Sequence, residues 1–564
     1  MNRRTFLSTS ASVACAALIP FACQRRKPEI NIVTRLVQQN DKNIPRLLTN
    51  QEANTEHTWF GGVVDAYGIH SAGHTAAFIR DLTCALLSPQ SAFFQSEHIL
   101  ECLIYAMQFM LKQQHADGTI DLHTTNFFST PDTAFVMEWL GGVYGLLKQS
   151  HSDRYAGLSA MLEEFILKAA EALTVGGIHT PNHRWVVCMA LARAYSLFPD
   201  PRFIERIDTW LREHIDIDPD GQFTEKSASI YSPLTDRCLI TMARLLNRPE
   251  LYEPVRANLT MTLYYIHPNG KVVTEASKRQ DQYQFGDMAP YYYPYRFLAL
   301  LDNNGQFAGM ANWIEATPKK ITSCLMYFLE DEQLQQELPV VSPLPTHYEK
   351  FFSYSNLARF RRGDVSATVL ADNYTLFSFR TGGAILQAVR LAAAFFGKGQ
   401  FKGEKLDVQD GIYVMSQKLD GPYYQPFPEE EIPEDGDWEK MDKEKRPKSE
   451  IQELETTISI REHNAVFTID IHIKGTDRVP IALELAFQHG GKFKGVEKIK
   501  DVKDAYFLKK GFGQYILNGQ TIEFGPGQHQ HRWTHLRGAE EKLDAMSVYL
   551  TGFTPLLWTM TING

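Results

Sequence analysis

The sequence predicts two structural halves, a set of N-terminal α-helical hairpins and a C-terminal antiparallel β-sandwich. Between about residue 60 and residue 335, apolar residues recur every three to four positions, which is the period of amphipathic helices. From about Tyr348 onward the pattern changes to short alternating runs such as SATVLADNYTLFSFR, which are typical of strands. A Gly-containing turn also recurs within the helical half, as expected when one hairpin follows another. The predicted fold class is therefore multidomain, with α and β parts in succession.

The recurring turn is visible in ADGTIDLHTTN, VGGIHTPN, PDGQFTEKSAS and PNGKVVTEASK, where Gly118, Gly177, Gly221 and Gly270 take the same place. Each copy precedes a short extended stretch and the beginning of a helix. The pattern predicts one helical hairpin per repeat, with every turn at the same end. Polar residues gather where each returning helix begins: Asn126 and Asp132; Asn182 and His183; Glu225, Ser227 and Tyr231; Glu275, Arg279 and Gln280.

These polar helix starts predict a binding site. If the hairpins curl into a ring, the inner helices bring unpaired N–H groups and positive dipole ends to one mouth, which favours an anionic ligand. Ordinary capping explains Asn, Thr, Ser and Glu at such positions. It does not explain His183, Arg184 or Tyr231, and their coincidence with the repeated turn favours a functional site.

The composition is that of an acidic globular protein. The chain has 564 residues, 44% of them hydrophobic and 22% charged, with a formal net charge of −9. This balance argues against a nucleic-acid partner, so an acidic ligand must be attracted by local Arg, Lys and His. The cysteines beyond residue 23 lie mostly in helical patterns and form no CxxC pair, which predicts buried thiols and leaves one or two disulfides open; they are Cys84, Cys102, Cys188, Cys238 and Cys324.

Residues 1–23 predict an export signal, because a basic start precedes an apolar run that ends in small residues. Arg3 and Arg4 resemble a twin-arginine signal, and Cys23 resembles the first residue of a bacterial lipoprotein, although Pro20 departs from that pattern. We expect a protein of a Gram-negative cell envelope, either periplasmic or lipid-anchored at Cys23, with no other membrane contact. The predicted domains are 1–23 (signal), 24–340 (helical, catalytic) and 341–564 (sandwich).

Two short motifs carry a resemblance to a known family. TPNHRW, at 180–185, resembles the Asn-His element of polysaccharide lyases, and DGQFTEKSASIY, at 220–231, resembles their DG…E-x-S…Y element. These enzymes, of the heparinase, alginate-lyase and chondroitin-lyase kind, have an incomplete α/α-toroid followed by an antiparallel β-sandwich. The chain departs from the heparinase II pattern at Lys226, where Gly is usual, and at Ser232, where His often follows the Tyr.

The resemblance implies a lyase that cleaves a 4-linked uronic acid by β-elimination and leaves a 4,5-unsaturated uronate. It implies that Asn182 holds the sugar carboxylate, that His183 acts as base or as a second carboxylate contact, and that Tyr231 acts as acid and also as a candidate base. Neutral imidazole can accept a proton at neutral pH, whereas a phenol needs a nearby cation such as Arg184 or Arg279.

Further residues are predicted to bind the substrate: Asn126, Arg184, Glu225, Arg279 and His489, the last at the sheet rim facing the helical domain. The expected partner is an acidic polysaccharide or oligosaccharide. We expect no required cofactor. The histidines of GQHQHRWTH leave a structural divalent metal open, but the spacing favours an exposed loop.

Two other functions compete with the lyase hypothesis. An α/α-barrel glycoside hydrolase needs two carboxylates flanking the bond, for which Asp132, Glu138, Glu225 and Asp236 are available. A glycan-binding lipoprotein without catalytic activity is the second alternative. Among lyase substrates, the acidic balance favours a weakly charged glycan over heparin or chondroitin sulfate, for example rhamnose–glucuronate units of arabinogalactan.

Overall fold

The computed structural model describes residues 31–317 and 321–564. The predicted signal at 1–23 and the lipidation site at Cys23 lie outside the described residues, so export and envelope location stay predictions. Within the described ranges, no helix combines the length and apolarity needed to cross a bilayer.

Helices occupy the first half of the chain. They are α1 (Ile32–Asp41), α2 (Ile44–Leu48), α3 (Ala72–Leu87), α4 (Glu97–Gln113), α5 (Thr130–Gln149), α6 (Ala156–Val175), α7 (Pro181–Leu197), α8 (Pro201–Leu211), α9 (Tyr231–Leu246), α10 (Tyr252–Thr262), α11 (Tyr292–Leu301), α12 (Gly305–Ala316) and α13 (Leu325–Glu330).

The helices form five hairpins arranged as an incomplete double ring. The inner helices α3, α5, α7, α9 and α11 contact one another in succession, and the outer helices α4, α6, α8, α10 and α12 pack behind them. The distribution of apolar residues determines whether a helix belongs to the inner or the outer ring. Every residue from Arg184 to Ala194 of the inner helix α7 is buried, whereas the outer helix α8 buries only Phe203 and Ile207. The helix α13 contacts α1, α3 and α5. The predicted incomplete α/α-toroid is confirmed.

The inner helices α3, α5, α9 and α11 follow the same tight turn, in which the fourth residue is a glycine with positive φ. The turns are Asp65–Ile69, His115–Thr119, Asp218–Gln222 and His267–Lys271. At Gly118 a Cβ atom would lie 2.0 Å from the carbonyl oxygen of Lys168, so only glycine fits there. The prediction of this turn at Gly177 is wrong, because α7 is entered through an extended segment, in which Gly176 packs against Thr130.

Strands occupy the second half, apart from a small hairpin before α5. They are β1 (Ile120–Leu122), β2 (Asn126–Ser129), β3 (His347–Phe352), β4 (Leu357–Arg362), β5 (Val365–Leu370), β6 (Phe377–Thr381), β7 (Ala384–Ala393), β8 (Asp407–Gln409), β9 (Ile412–Tyr424), β10 (Lys448–His463), β11 (Val466–Gly475), β12 (Pro480–Phe487), β13 (Lys492–Lys494), β14 (Glu497–Lys498), β15 (Ala505–Phe507), β16 (Gly513–Leu517), β17 (Gln520–Gly525), β18 (Met546–Phe553) and β19 (Leu556–Asn563).

The strands form two large sheets that enclose one apolar core. One sheet has the order β14-β15-β18-β12-β7-β6-β5-β4-β3 and the other β13-β16-β17-β19-β11-β10-β9-β8. All strand pairs in the described chain are antiparallel except β15 with β18. The predicted sandwich is confirmed. The helices end at Glu330 and β3 begins at His347, so the predicted division at 340/341 falls in the connecting segment.

The cysteines beyond residue 23 and the histidines of the GQHQHRWTH segment belong to no metal-binding cluster within the described residues. The cysteines Cys84, Cys102, Cys188, Cys238 and Cys324 are all buried free thiols. His531 faces the backbone carbonyls of Ile481 and Gly552 at 3.1 Å each. Among the residues that the structure describes, no three His, Cys, Asp or Glu side chains are placed to share a metal ion; the cofactor expectation remains a prediction.

A buried carboxylate fixes the sandwich on the toroid. Glu275, in the loop before α11, is 1% exposed and accepts hydrogen bonds from Thr368 and Ser378, both at 2.8 Å. Arg380 donates to it at 3.3 Å, and Arg359 lies 4.0 Å away. Burial opposes ionisation of Glu275, but the surrounding cationic groups and hydrogen bonds hold its pKa well below the usual range. One toroid side chain therefore binds three neighbouring strands, β4, β5 and β6.

Replacing this carboxylate should loosen the domain interface. Glu275→Ala leaves the guanidinium groups of Arg359 and Arg380 buried without a counter-charge, which we expect to cost about 3 to 5 kcal/mol of unfolding free energy. Urea denaturation checks the value. Glu171→Ala is the matched control, because it removes the exposed ion pair with Arg202, and it should leave the denaturation midpoint almost unchanged. Equal effects of the two substitutions would contradict the assigned role of Glu275.

Candidate active site

The beginning of α7 brings a buried polar segment to the mouth of the toroid. Pro181 takes the first helical position, where its missing N–H costs nothing. Thr180 stands at the capping position, but its side chain accepts no backbone N–H of the helix. Instead, Glu225 from the loop before α9 accepts the N–H of Asn182 at 2.9 Å. A carboxylate from a neighbouring repeat therefore caps α7.

The side chain of Asn182 is held in one orientation. Asn182 is 2% exposed, and its Oδ1 accepts a hydrogen bond from the Thr180 hydroxyl at 2.7 Å. Its Nδ2 is buried and has no hydrogen-bond acceptor among the described residues. Buried donors are nearly always paired, so an unpaired one indicates a position that a ligand can complete.

His183 lies next to Asn182, and its side chain is partly buried. The edge of its ring faces Phe135 at a centroid distance of 6.1 Å. Burial lowers the pKa of His183 to about 4; the nearby Arg279 and His179 act in the same direction, whereas Asp132 opposes them. The imidazole is therefore neutral at neutral pH, and its Nδ1 lone pair accepts only a long hydrogen bond from the His179 N–H, at 3.4 Å.

The beginning of α9 supplies a phenol. The backbone N–H of Tyr231 donates to the Ser227 hydroxyl at 3.2 Å, which holds the start of the helix. Gln280 donates its side-chain N–H to the Tyr231 hydroxyl at 2.6 Å. The guanidinium of Arg279 lies over the Tyr231 ring, 5.1 Å from its centroid. Both neighbours stabilise negative charge that develops on the phenol oxygen.

Arg279 connects the two helix starts. Its guanidinium lies 3.3 Å from Glu225, whose side chain is only 4% exposed. Through Glu225 it is joined to Asn182, and it also contacts Tyr231 and influences His183. The structure thus brings Asn182, His183, Tyr231, Glu225 and Arg279 into one cluster. Glu225 was predicted to contact substrate; its enclosed carboxylate instead orients Asn182 and Arg279.

Asp281, which the sequence did not single out, holds these loops together. Asp281 accepts hydrogen bonds from the Ser227, Ser229 and Ser277 hydroxyls at 3.0 to 3.1 Å. It therefore joins the loop before α9 to the loop before α11. Lys226 has φ +48°, a left-handed conformation that glycine adopts without strain, which explains why the related pattern has Gly there.

The predicted residue Asn126 is the first residue of β2, the strand that leads directly into the neighbouring inner helix, α5. Its Nδ2 donates a hydrogen bond to Asp132 at 2.9 Å, and Asp132 also accepts a hydrogen bond from the Ser129 hydroxyl. Asp132 is the acidic neighbour that opposes the lowered pKa of His183. Asn126 therefore orients a carboxylate beside the cluster.

Arg184 does not belong to the cluster, and the prediction that it binds substrate is wrong. Its side chain is 9% exposed and pairs with Glu213 at 3.2 Å and Asp216 at 2.9 Å. Its guanidinium also lies over the ring of Trp185. These partners neutralise its charge on the side of α7 that faces α8.

His489 lies at the rim of the sandwich, across from the loop that follows Arg279. It lines a cavity with Gln282 and Tyr283 of the toroid. Its Nε2 lies 2.9 Å from Asp544, and the ring is 46% exposed. The structure therefore places His489 opposite the toroid loop, in a cavity that neither Asn182 nor Tyr231 lines.

Comparisons with solved structures reveal the same architecture in other proteins. Heparinase III aligns with 95% of this chain and 83% of its own, at 12% identity and a TM-score of 0.52. A chondroitin AC lyase of Streptomyces coelicolor, solved with chondroitin sulphate, covers 95% and 80%, at 13% identity and a TM-score of 0.55. A Paenibacillus xanthan lyase covers 94% and 57%, at 10% identity and a TM-score of 0.57. No protein-family model and no curated protein matches the chain.

The feature shared with these polysaccharide lyases is the fold, an incomplete toroid followed by an antiparallel sandwich. The alignments extend over both halves of the chain, so the two domains occur together in the same order. The resemblance inferred from TPNHRW and DGQFTEKSASIY is confirmed at this level.

The capping role of Glu225 is testable by two substitutions. Glu225→Ala removes the acceptor for the Asn182 N–H and should lower the unfolding free energy by about 1 to 2 kcal/mol, as losing a helix cap does. Glu225→Gln keeps an acceptor oxygen and should lose less than half as much. Urea denaturation measures both, and equal losses would show that the charge rather than the acceptor holds the helix start.

Proposed function

We propose that the protein is a polysaccharide lyase that cleaves a 4-linked uronic acid by β-elimination. The observation that carries this proposal is the single cluster of an unpaired amide donor, a neutral imidazole and a phenol beneath a guanidinium. The fold shared with heparan sulfate, chondroitin and xanthan lyases supports it. The substrate class is an acidic polysaccharide or oligosaccharide.

The first task in β-elimination is to neutralise the sugar carboxylate, because this makes the C5 proton acidic. The unpaired Nδ2 of Asn182 and the partly exposed guanidinium of Arg279 are the donors available for that carboxylate. An amide donor does not ionise and stabilises the enolate that develops as the proton leaves. Glu225 keeps both donors in place.

The second task is proton transfer. In the proposed step, the Nδ1 lone pair of His183 gives up its long hydrogen bond from the His179 N–H and takes the C5 proton. The C5–H electrons form the C4=C5 double bond, and the C4–O4 bond breaks. The Tyr231 hydroxyl gives its proton to the departing oxygen, and solvent then returns a proton from the imidazolium to the phenolate. Gln280 and Arg279 stabilise the phenolate in the meantime.

The glycoside hydrolase alternative loses support from the burial of its carboxylates. Glu138 is 0% exposed and is held by Arg237 at 2.5 Å. Asp236 is 0% exposed, and burial raises its pKa well above the usual range. Glu225 is enclosed, which leaves Asp132 as the accessible member of the four. Hydrolysis needs two carboxylates facing the bond.

The chemical roles can be tested by removing the reactive groups. Tyr231→Phe and His183→Ala should each lower kcat at least about 100-fold, because each removes one proton-transfer group. The measurement is the ultraviolet absorbance of the unsaturated product during incubation with a panel of glucuronate-containing glycans, including arabinogalactan with terminal rhamnose–glucuronate. Hydrolysis would release reducing ends without this absorbance, and a binding protein would produce neither.

Two matched controls lie outside the cluster. Tyr374→Phe removes another phenol under a cation, since Lys402 lies 5.9 Å from that ring. His472→Ala removes an exposed histidine of β11. Both should retain full rates, whereas full rates for Tyr231→Phe and His183→Ala together would refute the assignment.

The pH profile distinguishes the two candidate bases. An imidazole whose pKa is lowered to about 4 stays deprotonated well below neutral pH, so kcat/KM should persist in mild acid and fall as the pH passes through about 4. His183→Ala should abolish this acid limb in the residual activity. Persistence of the limb in the variant would show that it does not arise from His183 and would contradict the assignment of the imidazole as base.

A further inference from the structure

A cavity of about 530 Å³ lies between the toroid and the sandwich. It lies between the loop that follows Arg279, the start of β7 and the end of β12. The residues around it, which we name the amide pocket, are Gln282, Tyr283, Gln284, Phe285, Gln387, Gln488, His489, Leu543 and Asp544. The N–H of Gln282 donates to the Arg279 carbonyl at 2.9 Å, so the pocket begins one turn away from the site.

The hydrogen-bonding groups of the amide pocket match hydroxyl groups. It contains four glutamines, whose amides both donate and accept. The side chains of Gln284 and Gln387 make no hydrogen bond within the described part of the chain, and the Oε1 of Gln488 is buried without a partner. Phe285 is 60% exposed and presents an apolar ring of the kind on which a sugar stacks.

The charges of the pocket disfavour a second anion. None of the described residues that line it is Lys or Arg. Its ionic groups are His489 and Asp544, which lie 2.9 Å apart, and Asp504 stands 4.0 Å from the same imidazole. A sulfate group placed here would lose hydration and would find no guanidinium or ammonium among the described lining residues, one of which is the carboxylate Asp544.

We propose that the amide pocket binds an uncharged sugar residue adjacent to the uronate. This inference rests on the proposed lyase function and gives its substrate class: a glycan in which a glucuronate-type residue is followed by a neutral, unsulfated sugar. The uronate carboxylate is bound by Asn182 and Arg279, and the neighbouring hydroxyls are bound by glutamine amides. Arg279 supplies the cation for the uronate, whereas the described lining of the amide pocket contains no Lys or Arg.

The test compares chondroitin oligosaccharides with their sulfated counterparts, because the two share a backbone and differ only in sulfate. Binding is measured by calorimetry on the His183→Ala protein, which is expected to consume the ligand at least about 100-fold more slowly. The unsulfated form should bind at least about tenfold more tightly. Gln284→Ala and Phe285→Ala, added singly, should each remove most of that difference.

Phe94→Ala is the matched control, because Phe94 is 40% exposed and lies between α3 and α4, at the opposite end of the toroid. It should leave both affinities unchanged. Far-UV circular dichroism and the unfolding midpoint verify that each variant is folded. Equal binding of sulfated and unsulfated forms, or retention of the preference in both pocket variants, would overturn the inference.

A separate measurement keeps this result distinct from the proposed function. Saturation-transfer NMR with methyl galactoside and methyl rhamnoside detects binding of neutral sugars without any cleavage. A signal that Phe285→Ala abolishes supports the pocket even if no glycan in the panel yields the unsaturated product, an outcome that would refute only the lyase activity. Lyase activity together with no signal for either glycoside, and no change in KM for Gln284→Ala, would overturn only the pocket.

Discussion

The burial of Glu275 between two domains is the constraint on which the rest of the structure depends. Its carboxylate is enclosed by groups from β4, β5 and β6, so the sandwich can dock on the toroid in one orientation. Removing such a charge from water is costly unless every acceptor position is filled, and misaligned docking would leave it unfilled. The network therefore selects one geometry.

The same loop continues from the docking contact into the site. Only a few residues after Glu275, Arg279 and Gln280 reach Tyr231, Asp281 fastens the loop to its neighbour, and Gln282 begins the amide pocket. A rotation of the sandwich would consequently displace both the guanidinium and the pocket wall. The docking of the sandwich on the toroid therefore also fixes the geometry of the site.

Arg279 also sets the charge of the cluster. Its partner Glu225 is itself fixed by the first turn of α7, so the guanidinium is held near Tyr231 before any ligand binds. The carboxylate of Glu225 therefore offsets the charge of the guanidinium. An incoming uronate would share the guanidinium with Glu225, which suits an anion carrying a single charge.

The helices, the strands and the importance of Asn182, His183 and Tyr231 were predictable, because periodicity and helix starts are local features of a sequence. The different environments of the neighbouring residues His183 and Arg184 could not be predicted from the sequence. Successive helical residues point about 100° apart, so one faces the mouth and the other faces α8, and only the packing of α7 decides which. His489 depends in the same way on where the sheet rim meets the toroid.

The sequence by itself determined the two halves, the order of the hairpins and the polar groups at each helix start, since these follow from spacing along one chain. The tertiary structure decided that Glu225 acts as a cap, that Arg279 joins two repeats and that Glu275 docks the sandwich. Each of these roles belongs to a carboxylate or guanidinium whose partner lies far away in sequence. Long-range pairing of buried charge leaves no local signature, because any exposed Glu or Arg would look the same.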